Sequence, residues 1–445
     1  MILNGTAEEE FRYKIYVSAE VILIKHSDYE KIILLELSGS NLCFEIDPDI
    51  MTNLVFIDMR QAHSILGVLK VDQFHILLYV SEAECIGKVK DSKIFKIKEV
   101  GFIPICNEVL FANTTQEIKN YILGVRTLLA HGYYYSFDYD LTNIYYRQDS
   151  KNFLGNANID YFWNHSISKI FMDNQINSIF ICILICGYVG ISNQIDLYGA
   201  NINLYLISRR NTNMPGTRHN CKGIDDFGNA ANFVETEQIL KSENRIFSFV
   251  IYRGYPFVFY RKKKFESGLK LIDKSKEIVE SSILKHIDII TSKEKQNIFI
   301  LNLLSENSSS EHELNQHINP ELFPVSTSNE GLVQYLTFEC KADIENGDYK
   351  NIETFINNLL ENDHFMNTIQ YYLEDKGKYC MMQKGVFRVN CNYSLDRTNL
   401  LQTAICWKLI EHQVLLKHNF NILIVYVFRF RYNITIWTNL SRYKK

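Results

Sequence analysis

Short apolar runs broken by turn residues fill the first part of the chain. Lys31-Ile32-Ile33-Leu34-Leu35-Glu36-Leu37 reads as a strand, Ser38-Gly39-Ser40 as a turn, and Leu42-Cys43-Phe44-Glu45-Ile46 as the returning strand. Similar runs recur at Val55-Phe56-Ile57, at Gly67-Val68-Leu69-Lys70-Val71 and at Phe74-His75-Ile76-Leu77-Leu78-Tyr79-Val80. A helix is expected after Asn113-Thr114-Thr115, where either threonine can cap and Gln116 and Glu117 favour a first turn. The pattern predicts a β-rich N-terminal domain over residues 1–180.

From about residue 180 strands alternate with helices, as an α/β domain requires, and this second domain is expected over residues 181–445. The run Ile179-Phe180-Ile181-Cys182-Ile183-Leu184-Ile185-Cys186, even extended to Ile191, is too short and too glycine-broken for a membrane span and reads as buried core. Ile202 to Ile207 reads as a strand, and Asn351 to Glu361 carries Ile352, Phe355, Ile356, Leu359 and Leu360 at helical spacing. Val386, Phe387 and Val389 read as a strand, and Leu400, Leu401, Ala404, Ile405 and Leu409 as a helix soon after it. The polar stretches Glu306–Glu311 and Ser326–Gly331 read as surface loops. Near the C-terminus, Ile422–Phe428 is too short to span a bilayer. Phe428, Phe430, Tyr432, Ile434 and Ile436 then alternate with polar positions, as an edge strand would.

Between the strand ending near Asn390 and the following helix lies Cys391-Asn392-Tyr393-Ser394-Leu395-Asp396-Arg397-Thr398. A loop entering a helix N-terminus turns backbone N–H groups and the positive end of the helix dipole toward one spot, where an anion can sit. A cysteine placed there is expected to be a thiolate nucleophile. Arg397 offers a planar fork for two phosphate oxygens, and Thr398 is positioned to hydrogen-bond the sulfur. The expected site is a Cys-x5-Arg phosphate-binding loop at a strand-to-helix turn, at the C-terminal end of a strand where open α/β sheets bind ligands. Taken alone, the spacing is weak evidence, because a half-buried cysteine near a surface arginine satisfies it equally.

Composition narrows the partners. The net charge over 445 residues is −4, so no global field points to nucleic acid, and anion binding has to be local. The N-terminal residues lack the basic start and apolar stretch of a secretory signal, so an intracellular setting is expected. The ten cysteines follow no metal or disulfide spacing. Arg261-Lys262-Lys263-Lys264 forms a basic run suited to a solvated loop or to an anionic membrane surface.

The string Arg388-Val389-Asn390-Cys391-Asn392-Tyr393-Ser394-Leu395-Asp396-Arg397-Thr398-Asn399 resembles the signature of the Sac-domain phosphoinositide phosphatases, the family that includes the synaptojanin N-terminal domains. A second match runs from Ile207-Ser208-Arg209-Arg210 through Gly216-Thr217-Arg218, Lys222-Gly223-Ile224-Asp225 and Gly228-Asn229-Ala230-Ala231-Asn232 to Gln238. Fainter echoes lie at Tyr134–Thr142, Phe162–His165, Ser248–Gly254 and Phe338–Lys341, so the resemblance spans about residues 130 to 405.

The resemblance implies hydrolysis of an inositol-ring phosphate, with phosphatidylinositol 4-phosphate foremost, through a phosphocysteine on Cys391. It implies Arg397 and Asp396 as the other catalytic groups, and Asn392, Tyr393, Ser394, Leu395 and Thr398 as the phosphate cradle. Arg209, Arg210, Arg218, Lys222, Asp225, Asn229 and Asn232 are the implied supporting residues. No metal or other cofactor is implied. The implied partners are a phosphoinositide lipid and an anionic membrane surface bound peripherally, and the implied location is the cytoplasmic face of the endoplasmic reticulum or Golgi. The chain departs from the pattern where the family has aspartate and cysteine, at Tyr393 and Ser394, and in having some 45 residues after the loop. A tyrosine of ordinary pKa about 10 is a poor substitute for that carboxylate at neutral pH, so the alternative is a catalytically weakened or inactive Sac-like protein that binds phosphoinositides or a partner protein without turnover.

Overall fold

The computed structural model describes residues 11–37, 43–105, 111, 114–148, 153–197, 200–216, 221–262, 269–291, 297–318, 321, 323–324, 331–360 and 367–415. The chain forms two compact units, residues 1–187 and 188–445.

In the first unit, β1 (Tyr13–Ser18), β2 (Val21–His26), β3 (Ile32–Glu36), β4 (Cys43–Ile46) and β5 (Phe56–Ala62) make an antiparallel sheet in the order β4-β3-β2-β1-β5. A second antiparallel set contains β6 (Ser64–Val71), the long hairpin of β7 (Phe74–Val89) and β8 (Ser92–Pro104), and β9 (Tyr133–Tyr135). Helix α1 (Gln116–Leu129) begins where the sequence places it, with the Thr115 hydroxyl accepting from the Ile118 N–H at 3.5 Å. Helix α2 (His165–Asp173) is preceded by Asn164, whose side chain bonds the Leu66 and Cys182 carbonyls and the Leu184 N–H. That satisfies the polar atoms around the buried run from Phe180 to Cys186. His165 packs edge-on against Phe162. These motif echoes therefore serve packing.

Strand β10 (Ile185–Leu197) leads into the second unit, where β11 (Ala200–Arg210), β12 (Val234–Ser242) and β13 (Arg245–Gly254) pair antiparallel. After the small ribbon of β14 (Tyr260–Lys262) and β15 (Leu269–Leu271) come α3 (Lys276–Thr291), β16 (Asn297–Asn302), α4 (Ser309–Gln316) and β17 (Val333–Thr337). Helices α5 (Lys341–Asn346) and α6 (Lys350–Leu360), the hairpin of β18 (Tyr372–Asp375) and β19 (Lys378–Met381), β20 (Gly385–Asn390) and α7 (Asp396–Leu415) complete it. Strands β13, β20, β16 and β17 run parallel in that order. The sheet is thus mixed, antiparallel on one side and parallel where the helical crossovers lie.

Side-chain alternation along β20 divides its two faces. Phe387, Val389 and then Cys391 join a core with Leu401, Ile405 and Leu409 of α7 and Ile352, Ile356 and Leu359 of α6. Arg388 points the other way, to His286 of α3 and the Phe257 ring.

One expectation is corrected here. The polar stretch Glu306–Glu311 is not wholly a surface loop: Ser309–Gln316 is helical and Glu311 is buried. Serine-rich composition gives a loop signal, but a tertiary ion pair, described below, draws this segment inward. The turn at residues 38–40, most of the loop at 326–331 and the alternating segment at 422–436 lie outside the described residues.

Candidate active site

Strand β20 ends at Asn390 and α7 begins at Asp396, so Cys391 to Leu395 form the connection. Parallel registry sets Asn390 beside both Gly254 of β13 and Asn302 of β16, so this loop emerges at the C-terminal ends of three neighbouring strands. Cys391, Asn392 and Ser394 are buried, whereas Tyr393 is 55% exposed and projects from the loop.

The loop is held by its carbonyl oxygens. The Tyr260 hydroxyl donates to the Asn392 carbonyl at 3.5 Å, and the Asn232 side-chain amide to the Tyr393 and Ser394 carbonyls at 3.4 and 3.0 Å. Arg253 also donates to the Ser394 carbonyl. Because a peptide plane sets each N–H opposite the preceding C=O, three carbonyls anchored by surrounding side chains turn the N–H groups of Tyr393, Ser394 and Leu395 away from those anchors. The Ser394 N–H bends back to the Cys391 carbonyl at 3.3 Å, and Ser394 sits in the left-handed region at φ 50°. Left-handed residues of this kind create the backbone concavities that receive anions.

Arg397 lies in the first turn of α7 and reaches across the sheet end. Its Nη1 donates to the Leu303 carbonyl at 2.7 Å and to Glu311 Oε2 at 2.8 Å, and its Nη2 pairs with Glu311 Oε1. Burial works against the guanidinium charge, but the Glu311 hydrogen bonds and the nearby Cys391 outweigh it, so its pKa lies above the ordinary value. Thr398 is buried, and its hydroxyl donates to the Leu395 carbonyl at 2.9 Å, where a bond to the cysteine sulfur was expected. The carbonyl one turn back is the nearer acceptor for a threonine early in a helix. Asp396 is exposed at the helix start.

The upstream motif builds the wall of this loop. Residues 222–232 form a tight hairpin: Ile224 and Ala230 pair, Asp225 donates to and accepts from the backbone of Asn229, and the Ala231 N–H donates to the Gly223 carbonyl. Asp225 also takes the Asn229 side-chain amide at 2.9 Å, so these two shape the turn and do not touch the loop. At the hairpin base, Lys222 Nζ donates to the Tyr255 hydroxyl at 2.7 Å and lies 4.8 Å over the Tyr393 ring. Asn232, itself at φ 49°, completes the base. Gly216 is required because a Cβ there would lie 2.5 Å from Asn232 Cβ.

Arg209 is fully buried and pairs with Glu235 at 3.2 Å and Glu237 at 2.8 Å, braced by Tyr252 and Ser248 on the same carboxylates. These pairs brace neighbouring strands of the sheet. Arg210 lies near Arg253, and Arg253 is pushed down to about 9, first by burial and then by Arg210, which still leaves it charged at neutral pH. Arg218 and His219 lie outside the described residues. Sequence reasoning missed Glu311, Tyr255 and Tyr260. Nothing local marks Glu311, because its partner is far away along the chain.

The family model described as SacI homology domain matches residues 63–345, well over half of the chain. This chain belongs to the SacI homology family. The matched segment covers the hairpin at 222–232 and ends before Cys391. Among curated relatives, the phosphatidylinositol-3-phosphatase SAC1-B of Danio rerio is 26% identical over 371 residues, covering 80% of this chain and 61% of that protein. The inositol-1,4,5-trisphosphate 5-phosphatase 1 of Schizosaccharomyces pombe is 27% identical over 400 residues, covering 80% and 36%. Human synaptojanin-2 is 24% identical over 375 residues, covering 80% and 24%. This SacI homology chain therefore spans at most about three fifths of these three relatives.

Proposed function

We propose that the chain is a cysteine-dependent phosphatase that removes a phosphate from the inositol ring of a phosphoinositide. The observation that carries the reading is the loop itself: Cys391 at the end of β20, carbonyls anchored on one side, and Arg397 in the first turn of the next helix. In the proposed reaction, the Cys391 thiolate forms a bond to phosphorus as the bond from phosphorus to the ring oxygen breaks. The leaving oxygen takes a proton from Asp396 or solvent. Water then cleaves the phosphorus–sulfur bond, releasing phosphate and returning the thiolate. Arg397 and the amides of Tyr393 and Leu395 supply the positive charge, the Ser394 N–H being committed to the Cys391 carbonyl.

Family resemblance favours the 4-phosphate, while the relatives' names include a 3-phosphatase and a 5-phosphatase. A panel of short-chain phosphoinositides, assayed for released phosphate, decides among ring positions. The wild-type chain is expected to turn over at least one of them in the absence of divalent ions, and Cys391→Ser to abolish release. Activity that persists in Cys391→Ser overturns the mechanism.

A second reading, lipid binding without turnover, is favoured by one observation. Tyr393 occupies the place of the family's aspartate and leaves its ring under Lys222. Tyr393→Asp separates the two readings. A rise from undetectable activity supports the binding module, whereas measurable wild-type activity that the substitution leaves unchanged or reduces supports the loop as a working catalyst.

A further inference from the structure

The hairpin at 222–232 has two ends, and only its base is used by the loop. Its tip presents Phe227, 75% exposed. A phenyl ring so far into solvent is costly unless something covers it. The tip is not loose: Lys274 pairs with Asp226 at 3.0 Å, Lys285 Nζ donates to the Asp226 carbonyl at 2.8 Å, and His286 bonds the Gly228 carbonyl at 2.7 Å.

The β14–β15 ribbon stands beside it. Tyr260 turns in to the loop, so its neighbour Arg261 turns out. Arg261 pairs in register with Lys270, two exposed cations directly opposite each other on adjacent strands. Such a pair repels in an isolated ribbon and is relieved by an anionic surface. Lys274 links ribbon and tip, with its ammonium 5.4 Å over the Phe259 ring while it pairs with Asp226. Ile272, 41% exposed, lies at the end of the ribbon.

We propose that the Phe227 tip and the Arg261–Lys270 ribbon form a docking surface for an anionic phospholipid bilayer. Phe227 enters the interfacial layer, and Arg261, Lys270 and Lys285 meet the headgroups. An aromatic ring among cations is the combination that interfacial binding uses. The inference deepens the phosphoinositide reading, because the same hairpin and ribbon hold the loop, Asn232 and Tyr260 by hydrogen bonds and Lys222 by lying over the Tyr393 ring. Docking there holds the loop beside the membrane surface.

The test uses the full chain and vesicles of phosphatidylcholine with or without phosphatidylserine, free of phosphoinositide. Wild type is expected to co-sediment with the anionic vesicles only. Phe227→Ala is expected to weaken that binding roughly tenfold, the effect of losing about 1.5 kcal/mol of apolar burial. Arg261→Glu with Lys270→Glu is expected to weaken it further. Phe227→Trp reports insertion directly, as a blue shift of its emission on adding anionic vesicles and no shift with neutral ones. Binding unchanged in Phe227→Ala, or no spectral shift in Phe227→Trp, overturns the proposal. Phosphate release from short-chain soluble phosphoinositides is read in parallel and is expected to be unchanged by Phe227→Ala. Vesicle binding that wild type shows and Phe227→Ala loses, in a chain whose wild type releases no phosphate, sinks the enzyme reading and leaves the docking surface standing.

Discussion

Arg397 has enough donors for two tasks. Its fork is held by Glu311 and by the Leu303 carbonyl, yet in the proposed reaction it also faces phosphate oxygens. An arginine carries five N–H donors, so part of the fork is free for a ligand while Glu311 fixes its plane. The ion pair is nearly shut off from water, with side chains 12% and 5% exposed. Removing one member of so enclosed a pair leaves an uncompensated charge. Glu311→Gln is expected to lower the unfolding free energy by roughly 3 kcal/mol in urea titrations. A loss below about 0.5 kcal/mol, the size of an ordinary surface change, would show that the carboxylate does not hold the arginine. Arg397→Lys keeps the charge and loses the planar fork. Phosphate release should fall by about a hundredfold or more, with the fold retained.

Among the elements, the hairpin at 222–232 depends most on its glycines. Gly223 has φ 67°, and a Cβ there would sit 2.0 Å from the Val258 carbonyl oxygen. Gly347, which ends α5, has nearly the same φ of 70° with open space around it. Gly347→Ala should therefore cost only the backbone strain, about 1 kcal/mol. Gly223→Ala should cost at least about 2 kcal/mol, and should lower phosphate release by displacing Lys222 and Asn232 from the loop. Equal costs at the two sites would mean that the hairpin yields easily.

The legibility of these elements followed their chemistry. The strands from residues 32 to 80 and the helix behind Cys391 announce themselves through their apolar patterns, and the helix after Thr115 through its capping residues, and the structure has each of them. Helix α4 does not, since its buried contacts are chiefly Leu314 and the carboxylate of Glu311. A pattern of hydrophobic positions cannot register an element drawn inward by a charge. Similarly, Arg209 and Arg210 are adjacent in sequence but point to opposite faces of β11, so one pairs with Glu235 and Glu237 and the other lies near Arg253.

At the scale of the whole molecule, the second unit carries fully buried charge on the sheet face behind the loop, and this sets how the fold responds to pH. Arg388 is buried, donates to the Tyr255 carbonyl at 2.6 Å, stacks on Phe257, and is pushed down to about 9 by burial while remaining a cation at neutral pH. Its Nε points at His286 Nε2 at 3.4 Å. Since a guanidinium can only donate, that ring nitrogen must accept, and the proton belongs on Nδ1, which donates to the Gly228 carbonyl. Burial first, and then Arg388, lowers the His286 pKa to about 3. The unfolded chain therefore binds a proton near pH 6.5 that the folded one refuses, so this contribution to stability is complete above that pH and is lost as pH falls toward 3. Between pH 6.5 and 5 the loss should approach about 2 kcal/mol. His26, His75 and His412 are also lowered by burial and add to the same trend, so the wild-type slope alone does not isolate His286. His286→Gln keeps a donor and an acceptor without a titrating ring. Urea midpoints measured at pH 7.5 and pH 5 should draw together in this variant relative to wild type. If both proteins lose the same stability across that interval, the ring is not held neutral in the folded chain.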